Sequence, residues 1–209
     1  MLFRSSAGEE GVSLFVVPAD TAGIERSALP TMDQTRRLAQ IELRDVRVPA
    51  SALMGEEGAA WPALRKTLDL AAVALAAEQV GGAQKCLDHS VEYAKERIQF
   101  GRPIGSFQSI KHKCADMMVL VESARSASYY AGWAASENAE DLPVAAALAK
   151  AFCSDTYFHC AAQSVQIHGG VGFTWEYDVH LYFKRAKSTE ILFGSPAYHR
   201  ERVAQHMGL

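Results

Sequence analysis

The sequence predicts a mainly α protein: an antiparallel helical bundle preceded by a partial β-domain. Three observations predict it. Apolar residues recur at three- and four-residue spacing along three long stretches after Gly58. The connections between those stretches are short, which makes consecutive helices antiparallel neighbours. Before Gly58 the chain instead carries short apolar runs closed by turn residues, the pattern of strands. The expected boundary divides residues 1–57, the partial β-domain, from residues 58–209, the helical bundle.

In the first part, Ser13-Leu14-Phe15-Val16-Val17-Pro18 is an apolar run ended by proline, suited to a buried strand. In AQIELRDVRVP, Ile41 and Leu43 share one face while Val46 and Val48 have the opposite parity. A turn or bulge near Arg44-Asp45 would return them to one side. About three strands are expected, too few for a closed sheet.

The first helical stripe is Val73, Ala76, Val80, Ala83, Leu87, Val91 and Ala94. Gly81-Gly82 interrupts it, at a cost in propensity that allows another backbone to approach. The second stripe is Ile110, Cys114, Met117, Val121, Ala124, Ala127 and Ala131. A turn from Asn138 to Pro143 follows, with Pro143 suited to the first turn of the next helix. The third stripe is Val144, Leu148, Ala151, Phe158, Ala162 and Val165, ending at Gly169-Gly170. Shorter helices are expected at roughly 177–186 and 196–206. One Ala-rich face should remain for another subunit, because small side chains let helices approach closely.

Composition removes several functions. The chain has 209 residues, 49% apolar and 22% charged, with a net charge of −3, so nothing attracts nucleic acid or an anionic membrane in general. No apolar run reaches the ~18 residues of a membrane span, and MLFRSSAGEE lacks the apolar core of a secretory signal. Cys86, Cys114, Cys153 and Cys160 lack CxxC spacing and fall in helical patterns, which points to reduced thiols in a cytoplasmic protein.

Two segments could carry chemistry. Arg97-Ile98-Gln99-Phe100-Gly101 sits just past the first long helix. Its arginine can present a fork of donors to a phosphate, or cap helix carbonyls. Gln166-Ile167-His168-Gly169-Gly170-Val171-Gly172-Phe173 is glycine-rich but follows a helix, which argues against a Rossmann phosphate loop. It can end the helix, or leave bare backbone for a flat ligand. The seven histidines lack the spacing that puts two metal ligands on one helical face, and Tyr182-Phe183-Lys184-Arg185-Ala186-Lys187 reads as a solvated basic face.

Taken in order, LFVVPADTAGIE with TMDQTRRLAQIELRDVRVPASALMGEEG, then ERIQFGRPIGSFQSIKHKCADM, then QIHGGVGFTWEYDVHLYFKRAK resemble segments of the acyl-CoA dehydrogenase family. The resemblance spans nearly the whole chain: the second half of the family's middle β-domain and its C-terminal bundle. It implies FAD as cofactor, an acyl-CoA thioester as substrate, and a homo- or hetero-oligomer formed with an acyl-CoA dehydrogenase homologue. It assigns Arg97, Gln99 and Phe100, with Gln108 beside them, to the adenosine-pyrophosphate end of a flavin held mainly by the neighbouring subunit. Gln166, Gly169 and Gly170 match the family's second dinucleotide contact. Ser195 keeps a hydroxyl where the family has threonine.

The same resemblance exposes departures. The family's catalytic glutamate stands in a Tyr-Glu-Gly-Thr-type turn, where this chain reads Leu192-Phe193-Gly194-Ser195. Some relatives carry the glutamate in the first long helix, and the matching residue here is Ala71, followed by Ala72 where many have arginine. Ala197 replaces a common Gln/Glu. Glu190, three residues before Phe193, is a candidate relocated base, weighed against a solvated carboxylate. The family's N-terminal helical domain and the first half of its β-domain have no counterpart, so a fragment or a shortened subunit is expected. GFTWEYD and LFGSPAYHRER are similar to a bacterial group whose base-less subunits work with a glutamate-bearing partner on sterol-side-chain CoA esters. The expectation is such a base-less subunit or fragment. A non-catalytic oligomerisation module and an enzyme using Glu190 are the alternatives.

Overall fold

The computed structural model describes the backbone of residues 2–4 and the whole of residues 11–209. Met1 and residues 5–10, most of the segment inspected for a secretory signal, lie outside the described residues. The chain divides into two compact units, Met1–Leu68 and Asp69–Leu209.

In the first unit, β1 (Leu2–Arg4), β2 (Val12–Phe15) and β5 (Leu53–Met54) form an antiparallel sheet in the order β1-β2-β5. A separate pair joins β3 (Ile24–Ala28) to β4 (Ala39–Leu43), with Ile24 opposite Leu43. The described residues thus hold five strands in this unit, not three. IERSA was missed because it alternates weakly, and β1 because three residues carry no period. Ile41 and Leu43 do share a face, and both are exposed. The turn expected near Arg44-Asp45 exists: Asp45 takes φ +49°, which ends β4.

The helices are α1 (Trp61–Glu96), α2 (Gln108–Ser136), α3 (Leu142–His168), α4 (Val179–Ile191) and α5 (Pro196–His206). Asn138, at φ +51°, turns the chain between α2 and α3. Pro143 falls in the first turn of α3, where its missing N–H has no intrahelical partner to lose. The core of the second unit has two parts. Val73, Ala76 and Val80 pack with Ala124, Ala131, Ala146 and Cys153, while Leu87, Met117, Val121, Tyr157 and Ala186 pack nearer the other end of α1.

Two sequence expectations change here. The third stripe holds only in part: Ala151 and Val165 are buried and Val144, Phe158 and Ala162 partly so, but Leu148 is half-exposed, and the most buried line runs Ala146, Ala149, Cys153, Tyr157, Cys160 and Ser164. Helix α3 touches α2, α4 and α5 together, so burial on several faces blurs the apolar period. Nor do the alanines form the outer face. Those of α3 are mostly buried inside, and the exposed side of α2 carries Met118, Val119, Tyr129 and Trp133. Gly82 also differs from expectation in what it admits, since the Tyr157 ring, not a backbone, fills the space of its absent Cβ.

All four cysteines are free thiols. Burial pushes the Cys153 and Cys160 thiols up to about 12. Among the described residues no helix is long and apolar enough to cross a membrane.

Candidate functional site

The ERIQFGRPIGSFQ segment folds as a small hairpin beyond α1. β6 (Ile98–Gln99) pairs with β7 (Arg102–Pro103), and Phe100 and Gly101 between them take φ +53° and +76°. Two successive positive φ angles define the tight turn that matches strand twist, and glycine supplies the second without strain. The carbonyl of Arg97 accepts from the Ile104 N–H at 2.8 Å, closing the hairpin at its base. The Arg97 guanidinium is exposed. Phe100 stands 91% exposed at the tip, meeting Phe107 edge-on, while the Arg102 guanidinium lies 4.1 Å over the Phe107 ring. Gln99 is exposed on β6, and Gln108 opens α2 with Nε2 3.4 Å from His112.

The glycine turn closes α3. Gly169, at φ +65°, sends its N–H to the Val165 carbonyl, ending the helix as its composition suggested. A Cβ on Gly169 or Gly170 would meet nothing within 4 Å, so this backbone is bare and open. Gln166 is exposed on the last turn of α3.

Aromatic packing brings these segments to one end of the bundle. Tyr93, one turn before Arg97, stacks on His168, the residue before Gly169, with ring centroids 4.2 Å apart. Tyr177 meets both rings edge-on. A cleft of about 300 Å³ opens beside them, lined also by His89, Glu92, Glu96, Glu176 and Asp178. Burial lowers His168 below the ordinary imidazole range, opposed by its hydrogen bond to the Ser164 carbonyl. These aromatics were not singled out from the sequence, since His168 had been weighed only as a ligand or packed residue.

The Phe193 turn is elsewhere. Gln79 on α1 donates to the Thr189 carbonyl at 3.2 Å, just before that turn. Gln79 precedes Arg97 by eighteen residues, ~27 Å of helix. Ala71 and Ala72 lie on the early part of α1 as well, Ala72 fully buried and Ala71 partly exposed. The structure therefore gathers Arg97 with Gly169 and Gly170, and sets Phe193, Ser195 and Glu190 apart from them. Phe193 takes φ +59° and is 42% exposed. The Ser195 hydroxyl caps α5 by accepting from the Tyr198 N–H at 3.3 Å. The Glu190 carboxylate meets Lys187 Nζ at 2.9 Å and is mostly buried, so it is not the freely solvated group expected.

Two further residues hold this turn and escaped sequence reading. Lys150 is fully buried on α3, and its ammonium reaches the Glu190 and Gly194 carbonyls, each at 3.1 Å. His199 Nε2 lies 3.0 Å from the Phe193 carbonyl. A lysine inside AAALAKAFCS was the available signal for the first.

Residues 58–208 match the family described as acyl-CoA dehydrogenase, C-terminal domain. The acyl-CoA dehydrogenase IpdE2 of Mycolicibacterium smegmatis is 42% identical over 175 residues, covering 83% of this chain and 50% of that protein. The butyryl-CoA dehydrogenase structure from Megasphaera elsdenii superposes with a TM-score of 0.93 at 33% identity, over 100% of this chain and 55% of that one. The ChsE4-ChsE5 complex from Mycobacterium tuberculosis gives a TM-score of 0.85 at 28% identity, over 94% of this chain and 52% of its own. The chain spans about half the length of the curated relatives it matches. With the family profile covering most of its residues, the chain belongs to the acyl-CoA dehydrogenase family.

Proposed function

We propose that the chain supplies flavin contacts and subunit interface to an acyl-CoA dehydrogenase whose α-proton is removed by a glutamate on a partner. The feature that supports this reading is Phe193, which the resemblance matches to the family's base position, in a turn held by Lys150 and His199. A phenyl ring accepts no proton. Losing a positioned base costs about 10²–10⁴-fold from that effect alone. Ala71 offers no substitute at the alternative position.

The residues at the other end of the bundle fit the dinucleotide. The exposed Arg97 fork suits a pyrophosphate, and the open Gly169-Gly170 backbone admits a ligand that a side chain would hold off. Gln99, Phe100, Gln108 and Gln166 are exposed and free to meet the same ligand, with Phe100 offering an exposed ring. A bound flavin supplies acceptance of the β-hydride, while this chain's residues hold and orient its nucleotide end. The separation along α1 supports a flavin shared between subunits, with this chain's Arg97 serving a site whose reacting end another chain completes. The exposed Met118, Val119, Tyr129 and Trp133 of α2 support assembly with a second subunit. The relatives' names as acyl-CoA and butyryl-CoA dehydrogenases support the same substrate class here.

Flavin stoichiometry tests the reading. The chain purified alone should carry little FAD, and a complex with a full-length, glutamate-bearing homologue should carry it. Changing the partner's glutamate should abolish dehydrogenation, whereas Glu190→Gln in this chain should leave it intact. Activity that follows Glu190 overturns the proposal in favour of a relocated base.

A further inference from the structure

The turn after α4 is suspended from two buried side chains. Lys150 Nζ binds three neutral acceptors: the Glu190 carbonyl at 3.1 Å, the Gly194 carbonyl at 3.1 Å and Ser154 Oγ at 2.9 Å. One ammonium thereby ties together the two ends of the segment that holds Phe193. Ser154 is fixed in turn by Gln79 Nε2 at 3.0 Å. From the other side His199 donates its Nε2–H to the Phe193 carbonyl at 3.0 Å, and its buried Nδ1 has no partner among the described residues. The neighbouring carboxylates are engaged by other cations, Glu190 by Lys187 and Asp155 by Arg200. The ammonium is thus buried for the sake of carbonyls, not of a counter-ion, an arrangement that costs desolvation.

The backbone so held is strained. Phe193 is a bulky residue in the left-handed region, which is worth about 1–2 kcal/mol against it, and a Cβ on Gly194 would collide with the Tyr198 ring. Strain of this kind persists where the surroundings over-determine the conformation.

We propose that Lys150, together with His199, is a positioning residue that fixes the backbone at 193–194, so that the clamp and not the side chain at 193 decides where that side chain points. This deepens the reading above, on which it rests for the identity of the turn: residue 193 is aimed at the acyl site by Lys150 and His199. Replacing Phe193 changes what is presented and leaves the presentation unchanged.

Amide hydrogen exchange of the purified chain, with 4-fluorophenylalanine NMR, tests the clamp. The resonance of position 193 is assigned by its loss in Phe193→Ala. Phe193→Ala and Phe193→Glu should leave exchange at Gly194, whose N–H bonds the Ile191 carbonyl at 3.2 Å, at its wild-type rate. Lys150→Met should raise that local exchange about tenfold to a hundredfold. It should also move the position-193 fluorine resonance while exchange in the middle of α2 stays put. His199→Leu, which deletes the hydrogen bond to the Phe193 carbonyl and leaves Lys150 in place, should loosen the turn in the same sense and serves if Lys150→Met does not fold. Exchange that rises equally in Phe193→Ala, or that rises throughout the bundle in both clamp variants, overturns the proposal. Neither measurement involves flavin or turnover, so a failure of the flavin reading leaves it standing.

Discussion

Tyr93 stacks on His168 with its ring plane tilted by only 22°, binding the last turn of α1 to the last turn of α3. Arg97 continues from the first, and Gly169 from the second. An exposed cation and an open stretch of backbone are thereby held at one end of the bundle by a contact that neither of them makes.

Arg97→Ala should weaken FAD about tenfold to a hundredfold, the loss of one charge-assisted hydrogen bond of ~1.5–3 kcal/mol. The measurement is FAD retention by the complex with an intact partner, since the proposed site is walled by both chains. Retention equal to wild type removes Arg97 from the cofactor site.

Gly81 and Gly82 should respond to alanine with opposite signs. A Cβ on Gly81 meets nothing within 4 Å, so Gly81→Ala should stabilise by about 0.5–1 kcal/mol through helix propensity. A Cβ on Gly82 runs into the Tyr157 ring, which is 1% exposed and has little room to retreat. Gly82→Ala should cost about 1–3 kcal/mol. Urea unfolding of both variants checks the pair.

Acid should destabilise the bundle partly through His199. Burial, only partly offset by the bond to the Phe193 carbonyl, pushes its imidazole down to about 4 from the ordinary 6.5. Between those values the unfolded chain takes up a proton that the folded chain refuses. Stability therefore falls by on the order of 3 kcal/mol as pH drops from about 6.5 to about 4, and this group leaves it unaffected outside that window. The difference in unfolding free energy between wild type and His199→Gln, followed across this range, should carry that slope. Parallel pH profiles would refute the assignment.

The isolated chain should reduce no electron acceptor with any acyl-CoA, and Phe193→Glu alone should not rescue it. On the proposed reading a partner completes the acyl pocket, so a carboxylate at 193 of the chain alone has no substrate held against it. Turnover by the isolated Phe193→Glu variant, assayed with acyl-CoA thioesters of several lengths, would contradict this.

Much of the helical architecture was legible because α1 and α2 each keep a solvent face. Val73, Ala76, Val80 and Ala83 keep three- and four-residue spacing, and burial follows them. Helix α3 defeats the same reading, since residues on several of its faces are buried and Leu148 looks like core while Ala149 is core. Arg97 and Gly169 were legible as segments, through an arginine past a helix end and glycines after another. Their proximity was not, because Tyr93 and His168 are far apart in sequence and carry no pairing signal. Lys150 illustrates the same limit. Its position in an apolar run marks it as unusual, but its carbonyl partners are supplied by a turn whose path only the fold determines.

A bundle built so heavily from alanine is smooth, and smooth cylinders slide. Few side chains on α1 and α3 are large enough to notch one helix against the other lengthwise. Tyr157 sinking into the gap at Gly82 works as a key in a keyway: displaced by one residue either way, the ring would lose its slot. That ring, with the Gln79–Ser154 hydrogen bond and the Tyr93–His168 stack, sets the longitudinal alignment of the two helices, and with it whether the arginine beyond one and the glycines beyond the other finish level.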